Sequence, residues 1–250
     1  MPKDLPPPLP PAERTVGQLV AESMRLYGRR FWKSLALGVP IAAITLVSAG
    51  HSLSAQMVVI WLATPFLTAA YVWAIAIASP KPLERRALVR AFGIGIVVFV
   101  PVPALVRLYV LPALAWLALF GLAVPAAAHE RLGFRSALIR GRRLATADFV
   151  HALGSLCALA IVYFITRFML LLLLHGQADA AVYIAAFLAD LIVSPLLFLG
   201  PALLYFDQAA RVVDSSPREK NEQKRRSPDA GLHPAVDAHR SGRSDAEVES

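Results

Sequence analysis

Apolar residues are concentrated in six long stretches that alternate with short polar segments. The stretches cover residues 34–50, 56–78, 91–106, 108–128, 150–174 and 181–206. An α-helix needs about 20 apolar residues to cross a hydrocarbon core of about 30 Å. The pattern therefore predicts an all-α fold: a polytopic membrane helix bundle with six transmembrane helices that form three hairpins.

The third stretch is the shortest, and Pro101 and Pro103 interrupt it. Proline removes a helical hydrogen bond and collides with the preceding turn, so the helix cannot continue undisturbed there. Two arrangements are therefore open. Stretches three and four each cross the membrane, or together they form a re-entrant hairpin.

Positive charge lies almost entirely on one side of the predicted bundle. Of the 25 Lys and Arg residues, 23 fall before the first stretch, between the second and third, between the fourth and fifth, or after the sixth. Cytoplasmic loops are enriched in Lys and Arg. The charges therefore predict a multi-pass protein of the cell's inner (plasma) membrane with both termini in the cytoplasm. Five or seven crossings would break this alternation.

The overall charge does not indicate nucleic-acid binding. The chain is 57% hydrophobic and 17% charged, with a net charge of +8. Because the basic residues flank apolar stretches, attraction to anionic lipid of the inner leaflet explains them better than a nucleic acid does. The expected partners are membrane lipids. A protein partner or a second copy of the chain is an open alternative.

The two ends of the chain differ from its centre. Residues 1–13 are rich in proline, which favours an extended, unpacked leader. Residues 212–250 carry many charges and few large apolar side chains, so they cannot offset the entropy of ordering. We therefore expect a disordered leader, a six-span membrane domain over residues 14–211, and a disordered, charged cytoplasmic tail.

Short basic segments precede the three hairpins, at residues 15–33, 83–92 and 130–149. Apolar residues of the first recur every three or four positions, which predicts an amphipathic helix in the membrane interface. The first and third segments share a spacing, in which an Arg-Leu pair precedes Phe31 in one and Phe149 in the other. This spacing hints at an internal repeat. The residues expected to face lipid at this interface are Arg25, Arg29, Arg30, Trp32, Arg140, Arg142 and Arg143.

Arg167 and Asp190 are charged residues inside apolar stretches. A charge near the centre of a bilayer costs at least about 2.5 kcal/mol on insertion scales. The two stretches are neighbours along the chain, so the side chains can meet as an intramembrane ion pair. Such a pair locks two helices together, or it lines a polar site for a solute or a proton.

The sequence carries no recognisable catalytic apparatus. His129 and Glu130 begin a run that resembles a zinc-protease motif, but Gly133 stands where the second histidine is required. Cys157 is the only cysteine, so no cysteine-based metal site is encoded. We expect no enzymatic activity, no cofactor and no metal site.

Three segments carry a family resemblance: RTVGQLVAESMRLYGRRFW at 14–32, Pro125 followed by ERLGFRSALIRGRRL at 130–144, and PALLYFD at 201–207. Together they resemble the bacterial multi-span proteins named for the glycerophosphoryl diester phosphodiesterase membrane domain. Gly141 stands where such proteins often have Ser, and one of two arginines that usually follow the last motif is missing after Asp207. The resemblance implies a membrane domain that lacks the catalytic barrel, and it transfers no catalytic residue.

Two functions follow from these patterns. The first is a non-enzymatic membrane protein that supports lipid organisation or a membrane complex through its basic cytoplasmic face. The alternative is a transporter of small solutes or lipids that uses a polar site around Arg167 and Asp190.

Overall fold

The computed structural model describes residues 13–176 and 178–214, and these contain helices and no strand. Most of the predicted leader and tail, at residues 1–12 and 215–250, lies outside the described residues. The helices are α1 (Val16–Arg29), α2 (Phe31–Leu35), α3 (Val39–Ser48), α4 (Leu53–Ala78), α5 (Arg85–Phe99), α6 (Val102–Leu108), α7 (Val110–Phe120), α8 (Ala123–Glu130), α9 (Phe134–Ala147), α10 (Phe149–Leu173), α11 (Asp179–Val193) and α12 (Pro195–Asp214). The last helix thus continues to Asp214, beyond the predicted boundary at residue 211.

Six helical segments among the described residues are long and apolar enough to cross a membrane, which confirms the predicted all-α polytopic bundle. They are Phe31–Ser48, Leu53–Ala78, Arg85–Leu108, Val110–Glu130, Phe149–Leu173 and Ala180–Val213. The third and fourth, whose crossing was uncertain, have 24 and 21 residues. Each exceeds the length of about 20 residues that a crossing needs. The chain is therefore an integral membrane protein.

Several spans are broken within their length, and aromatic side chains satisfy backbone carbonyl groups at the breaks. The α-helix of the third span is interrupted at Val100–Pro101, and that of the fourth span at Gly121–Leu122. The Trp116 indole donates to the Val98 carbonyl oxygen at 2.8 Å, and the buried Tyr71 hydroxyl donates to that of Gly121 at 3.2 Å. Because lipid offers no hydrogen bonds, a broken span is tolerated only where the protein supplies them.

The helix of the sixth span is interrupted at Ser194, where α11 meets α12, and the backbone beside this interruption packs tightly on the first span. Pro195 has no N–H group to donate to the Leu191 carbonyl, which lies four residues earlier. That carbonyl oxygen instead lies 2.2 Å from the point where a Cβ atom on Gly38 would stand. Only glycine permits so close an approach of two backbones.

The amphipathic segments form a three-fold internal repeat that is clearer than the sequence indicated. Helices α1 and α9 have 14 residues each, and a single non-helical residue separates each of them from the span that follows. The second segment differs from the prediction because it is the first part of α5 rather than a separate interfacial helix. The inward-facing positions correspond in all three segments: Leu19, Ser23 and Leu26; Ala87, Ala91 and Ile94; Ala137, Gly141 and Leu144.

The second and third repeats each pack on the second span of the repeat before them. Helix α5 lies against α4, with Gly95 facing Thr68. Helix α9 lies against α8, where a Cβ on Gly141 would come within 2.4 Å of the Ala123 nitrogen. Helix α1 lies against α10 and shares a core cluster with Leu203 of α12. The first repeat thus packs on the last, and the three hairpins form a closed ring.

The ring is packed most densely at the end that carries α1 and α9, which we call the basic end. Residues 123–128 of α8 are all buried, and so are most residues from Ser194 to Gln208, which include the first part of α12. A helix that is apolar on every side lies in the interior of a bundle. Helix α8 of the fourth span and the first part of α12 in the sixth span therefore form the centre of the bundle. The other parts of these spans, α7 and α11, are more exposed.

Substitution of Gly38 by Ala tests the close contact between the backbones of Gly38 and Leu191. The new methyl group would collide with the Leu191 backbone, which cannot move as a side chain can. Overpacking costs about 1–3 kcal/mol, and a protein of this size loses roughly 2–4 °C of Tm per kcal/mol. We expect the Tm of purified Gly38→Ala in detergent to fall accordingly. The control Gly93→Ala, which has no atom within 4 Å of its new Cβ, should lose nothing.

Candidate functional site

Arg167 and Asp190 meet inside the membrane-spanning region, as the sequence predicted. The Arg167 guanidinium of α10 forms an ion pair with the Asp190 carboxylate of α11. The Asp190 side chain is fully buried, whereas 27% of the Arg167 side chain is exposed. The two residues thus join the fifth span to the sixth.

Two hydroxyl groups complete this site, and sequence reasoning missed both. The Tyr163 hydroxyl donates to Asp190 Oδ1 at 2.8 Å, and the Thr45 hydroxyl donates to Asp190 Oδ2. Arg167 also donates to Thr45 Oγ1 at 3.2 Å. Thr45 lies fourteen residues after Phe31, and Tyr163 lies fourteen after Phe149. The repeat spacing was the signal that could have found them. We call Thr45, Tyr163, Arg167 and Asp190 the intramembrane cluster.

The chemistry of the intramembrane cluster is that of a compensated buried charge. The Asp190 carboxylate accepts from two hydroxyls and one guanidinium, so both of its oxygens have donors. A buried charge is tolerated when it is paired and hydrogen-bonded, and removal of one partner is strongly destabilising. Because its members come from α3, α10 and α11, the cluster ties three spans together.

A second polar network lies at the basic end, and we call it the basic-end network. Arg14, just before α1, pairs with the fully buried Asp207 of α12 at 3.0 Å. Arg211 of α12 pairs with Asp148 at 2.8 Å and donates to the Arg14 carbonyl at 2.8 Å. Asp148 also caps α10, since it accepts from the His151 backbone at 3.0 Å. These bonds close the ring of repeats between α1, α10 and α12.

Glu130 extends this network to the other repeats. It accepts from Arg140 of α9 at 3.0 Å and from the Tyr205 hydroxyl of α12 at 3.1 Å. The His129 ring stacks on the Tyr205 ring with centroids 5.3 Å apart. Residues from all three segments of the family resemblance thus meet at the basic end. Sequence reasoning had given none of these acidic residues a role in packing.

The structure divides the seven basic and aromatic residues that were predicted to face lipid. Three of them bind protein groups: Arg25 pairs with Glu22 at 3.1 Å, Arg30 donates to the Ile77 carbonyl at 3.1 Å, and Arg140 pairs with Glu130. The other four are exposed: Arg29, Trp32, Arg142 and Arg143. Arg30 lies beside the last turn of α4, whose carbonyl groups need donors, and only the tertiary structure shows this contact.

The described residues contain no group of three His, Cys, Asp or Glu side chains arranged to hold a metal ion. Comparison with known proteins found no similar family model, no similar curated protein and no similar solved structure.

The charge balance of the intramembrane cluster can be tested with neutral substitutions. Arg167→Gln leaves the buried Asp190 carboxylate without its cation, which should lower the free energy of unfolding by about 3 kcal/mol. Adding Asp190→Asn removes the stranded charge, so the double variant should be more stable than Arg167→Gln alone. Thermal unfolding in detergent measures both, with the exposed Arg107→Gln as control. A double variant no more stable than the single one would contradict the ion-pair explanation.

The closure of the ring can be tested at Asp207. Asp207→Asn removes the charge that holds Arg14, so α1 should open more often while the other helices stay protected. Hydrogen exchange of residues 16–29 measures this opening, and we expect at least a tenfold increase in rate. Glu22→Gln is the matched control, because it breaks only the partly exposed pair with Arg25. Equal exchange in both variants would show that Asp207 does not hold α1.

Proposed function

We propose that this protein is a non-enzymatic inner-membrane protein that binds anionic lipid, or a membrane partner, through its basic cytoplasmic face. In this proposal the basic end lies in the cytoplasm, as the loop charges predict. The family resemblance supports the same location, since its three segments converge there. The ring of hairpins serves as a rigid support for this face.

One observation carries the proposal. At the basic end, the buried Asp207 and the partly exposed Asp148 and Glu130 each form an ion pair with an arginine of the protein. Several other cations project outward without a carboxylate within ion-pair distance among the described residues, namely Arg29, Lys33, Arg85, Arg86, Arg135, Arg142 and Arg143. Acidic residues are therefore used for packing, and the surplus of positive charge is left on the surface. Such a surface attracts anionic headgroups, at about 1 kcal/mol for each basic residue.

Exposed aromatic residues support a lipid-facing position for this surface. Trp32 is 80% exposed and lies two residues after Arg30, at the start of the first span. Tryptophan is enriched at the boundary between hydrocarbon and water, where its ring packs on lipid and its N–H stays hydrated.

Transport through the intramembrane cluster is the second candidate. Its support is that Arg167 keeps part of its side chain exposed, so the buried Asp190 is linked to the bundle surface. The bonding of Asp190 favours a structural lock, because each of its oxygens already has a donor. Flux of protons or solutes into proteoliposomes that is abolished in Asp190→Asn, with folding intact, would favour transport.

Lipid binding can be measured by native mass spectrometry of the protein released from nanodiscs. The discs contain equal amounts of phosphatidylglycerol and phosphatidylethanolamine with identical acyl chains. We expect phosphatidylglycerol to be enriched among retained lipids, and the enrichment to fall at high ionic strength because salt screens exposed charges. Retention in the proportion of the disc itself would overturn the lipid form of the proposal. A stoichiometric protein subunit would instead support the partner form.

A further inference from the structure

One face of α9 carries three arginines and an isoleucine and contains no acidic residue. Arg135, Ile139, Arg142 and Arg143 are separated by four, three and one positions, so they share the outward side of the helix. All four are exposed, and Ile139 is 58% exposed. We call these four residues the α9 face.

The opposite side of α9 is fixed to the bundle. Ala137, Gly141 and Leu144 are buried, and Gly141 allows the backbones of α9 and α8 to touch. The helix therefore cannot rotate its arginines inward. The α9 face is a permanent feature of the surface.

The charge of the α9 face is not compensated within the described part of the chain. None of its arginines forms an ion pair there. Glu130, the acid nearest to α9 in the preceding segment, already accepts from Arg140 and Tyr205. The three guanidinium groups lie on one side of the helix and repel one another, so an anion that binds to this side relieves the repulsion.

The position of the α9 face indicates the kind of anion. Helix α9 connects the end of the fourth span, Glu130, to the start of the fifth, Phe149, so it lies at the membrane border. Phe134 and Val150, at its two ends, are 50% and 81% exposed. Exposed apolar side chains beside arginines at this depth suit the boundary between headgroups and acyl chains. A soluble acidic partner would leave Phe134 and Val150 in water.

We propose that the α9 face is a binding site for the phosphate groups of anionic phospholipids, with Ile139 inserted below the headgroups. This inference rests on the proposed function and specifies the part of the basic face that selects the lipid. The planar guanidinium groups of Arg135, Arg142 and Arg143 donate paired hydrogen bonds that match phosphate oxygens. The arginines in and directly after α1 contribute less, because Arg25 and Arg30 bind protein groups and leave only Arg29 without a partner that the structure shows.

The test is a titration of the full-length protein in neutral detergent with short-chain phosphatidylglycerol, followed by native mass spectrometry. The variant Arg135→Gln/Arg142→Gln/Arg143→Gln removes the α9 charges. The control Arg29→Gln/Lys33→Gln/Arg86→Gln removes the same charge from other exposed positions of the basic end. Each basic residue near an anionic lipid strengthens binding about fivefold. We expect the Kd of the α9 variant to rise about a hundredfold, and that of the control by less than tenfold.

Three results would overturn the proposal in distinguishable ways. An equal loss of phosphatidylglycerol affinity in both variants would show that α9 is not a distinct site and that the whole basic face binds lipid. A wild-type protein without preference for phosphatidylglycerol over phosphatidylcholine removes lipid binding itself. Tighter binding of polyglutamate than of phosphatidylglycerol, lost in the α9 variant, assigns the face to an acidic protein.

A spin label at position 139 gives a readout that does not depend on charge. Ile139→Cys is prepared with Cys157→Ser, so that the label has one site. In bilayers that contain phosphatidylglycerol, we expect the label to be accessible to oxygen and shielded from a water-soluble nickel complex. A label fully accessible to the nickel complex would place Ile139 in water and contradict its insertion.

Discussion

A membrane-spanning helix cannot be interrupted unless the protein itself satisfies the backbone groups that the interruption exposes, and this constraint governs the whole bundle. At Gly121 a tyrosine hydroxyl donates to the carbonyl in addition to the Val124 N–H group, and at Val98 a tryptophan indole supplies a donor. At the end of α4, Arg30 reaches the Ile77 carbonyl. Each of these contacts joins two spans, or joins a span to the segment that precedes the first span. The breaks therefore determine which helices must lie side by side.

Buried charges, like exposed backbone groups, must find their partners within the protein. Asp190 in α11 and Asp207 in α12 are both completely buried, and Asp207 lies at the basic end. Each is bonded to an arginine from another helix or from the segment before α1, so each links distant parts of the chain. Other arginines pair with partly exposed acids, and several at the basic end, such as Arg142 and Arg143, have no carboxylate within ion-pair distance among the described residues. The positions of the acidic residues thus decide both which helices are linked inside the bundle and which arginines are left unpaired on its surface.

The internal repeat gives α1, α5 and α9 a common way of packing, and the differences between them decide which surface can bind a partner. Equivalent positions of α1, α5 and α9 face inward, and small residues there allow close contact with the preceding hairpin. The repeat also places Thr45 and Tyr163 in equivalent positions on either side of Asp190. Where the repeats differ, their surfaces differ. Helix α1 carries an acid, Glu22, that pairs with Arg25, whereas α9 has no acid and keeps three of its four arginines exposed.

The six spans, their boundaries near the basic loops and the pairing of Arg167 with Asp190 were predictable, because apolar length and the cost of a lone charge in lipid act on the sequence directly. The remaining partners of Asp190, the links of Asp207 and Glu130, and the interior position of α8 and α12 depended on the tertiary structure. They arise from contacts between residues that are far apart in the chain, and a hydropathy pattern carries no information on which faces of two apolar helices meet. Sequence alone thus determined what crosses the membrane, and the fold decided which polar groups bond inside the bundle and which are left on its surface.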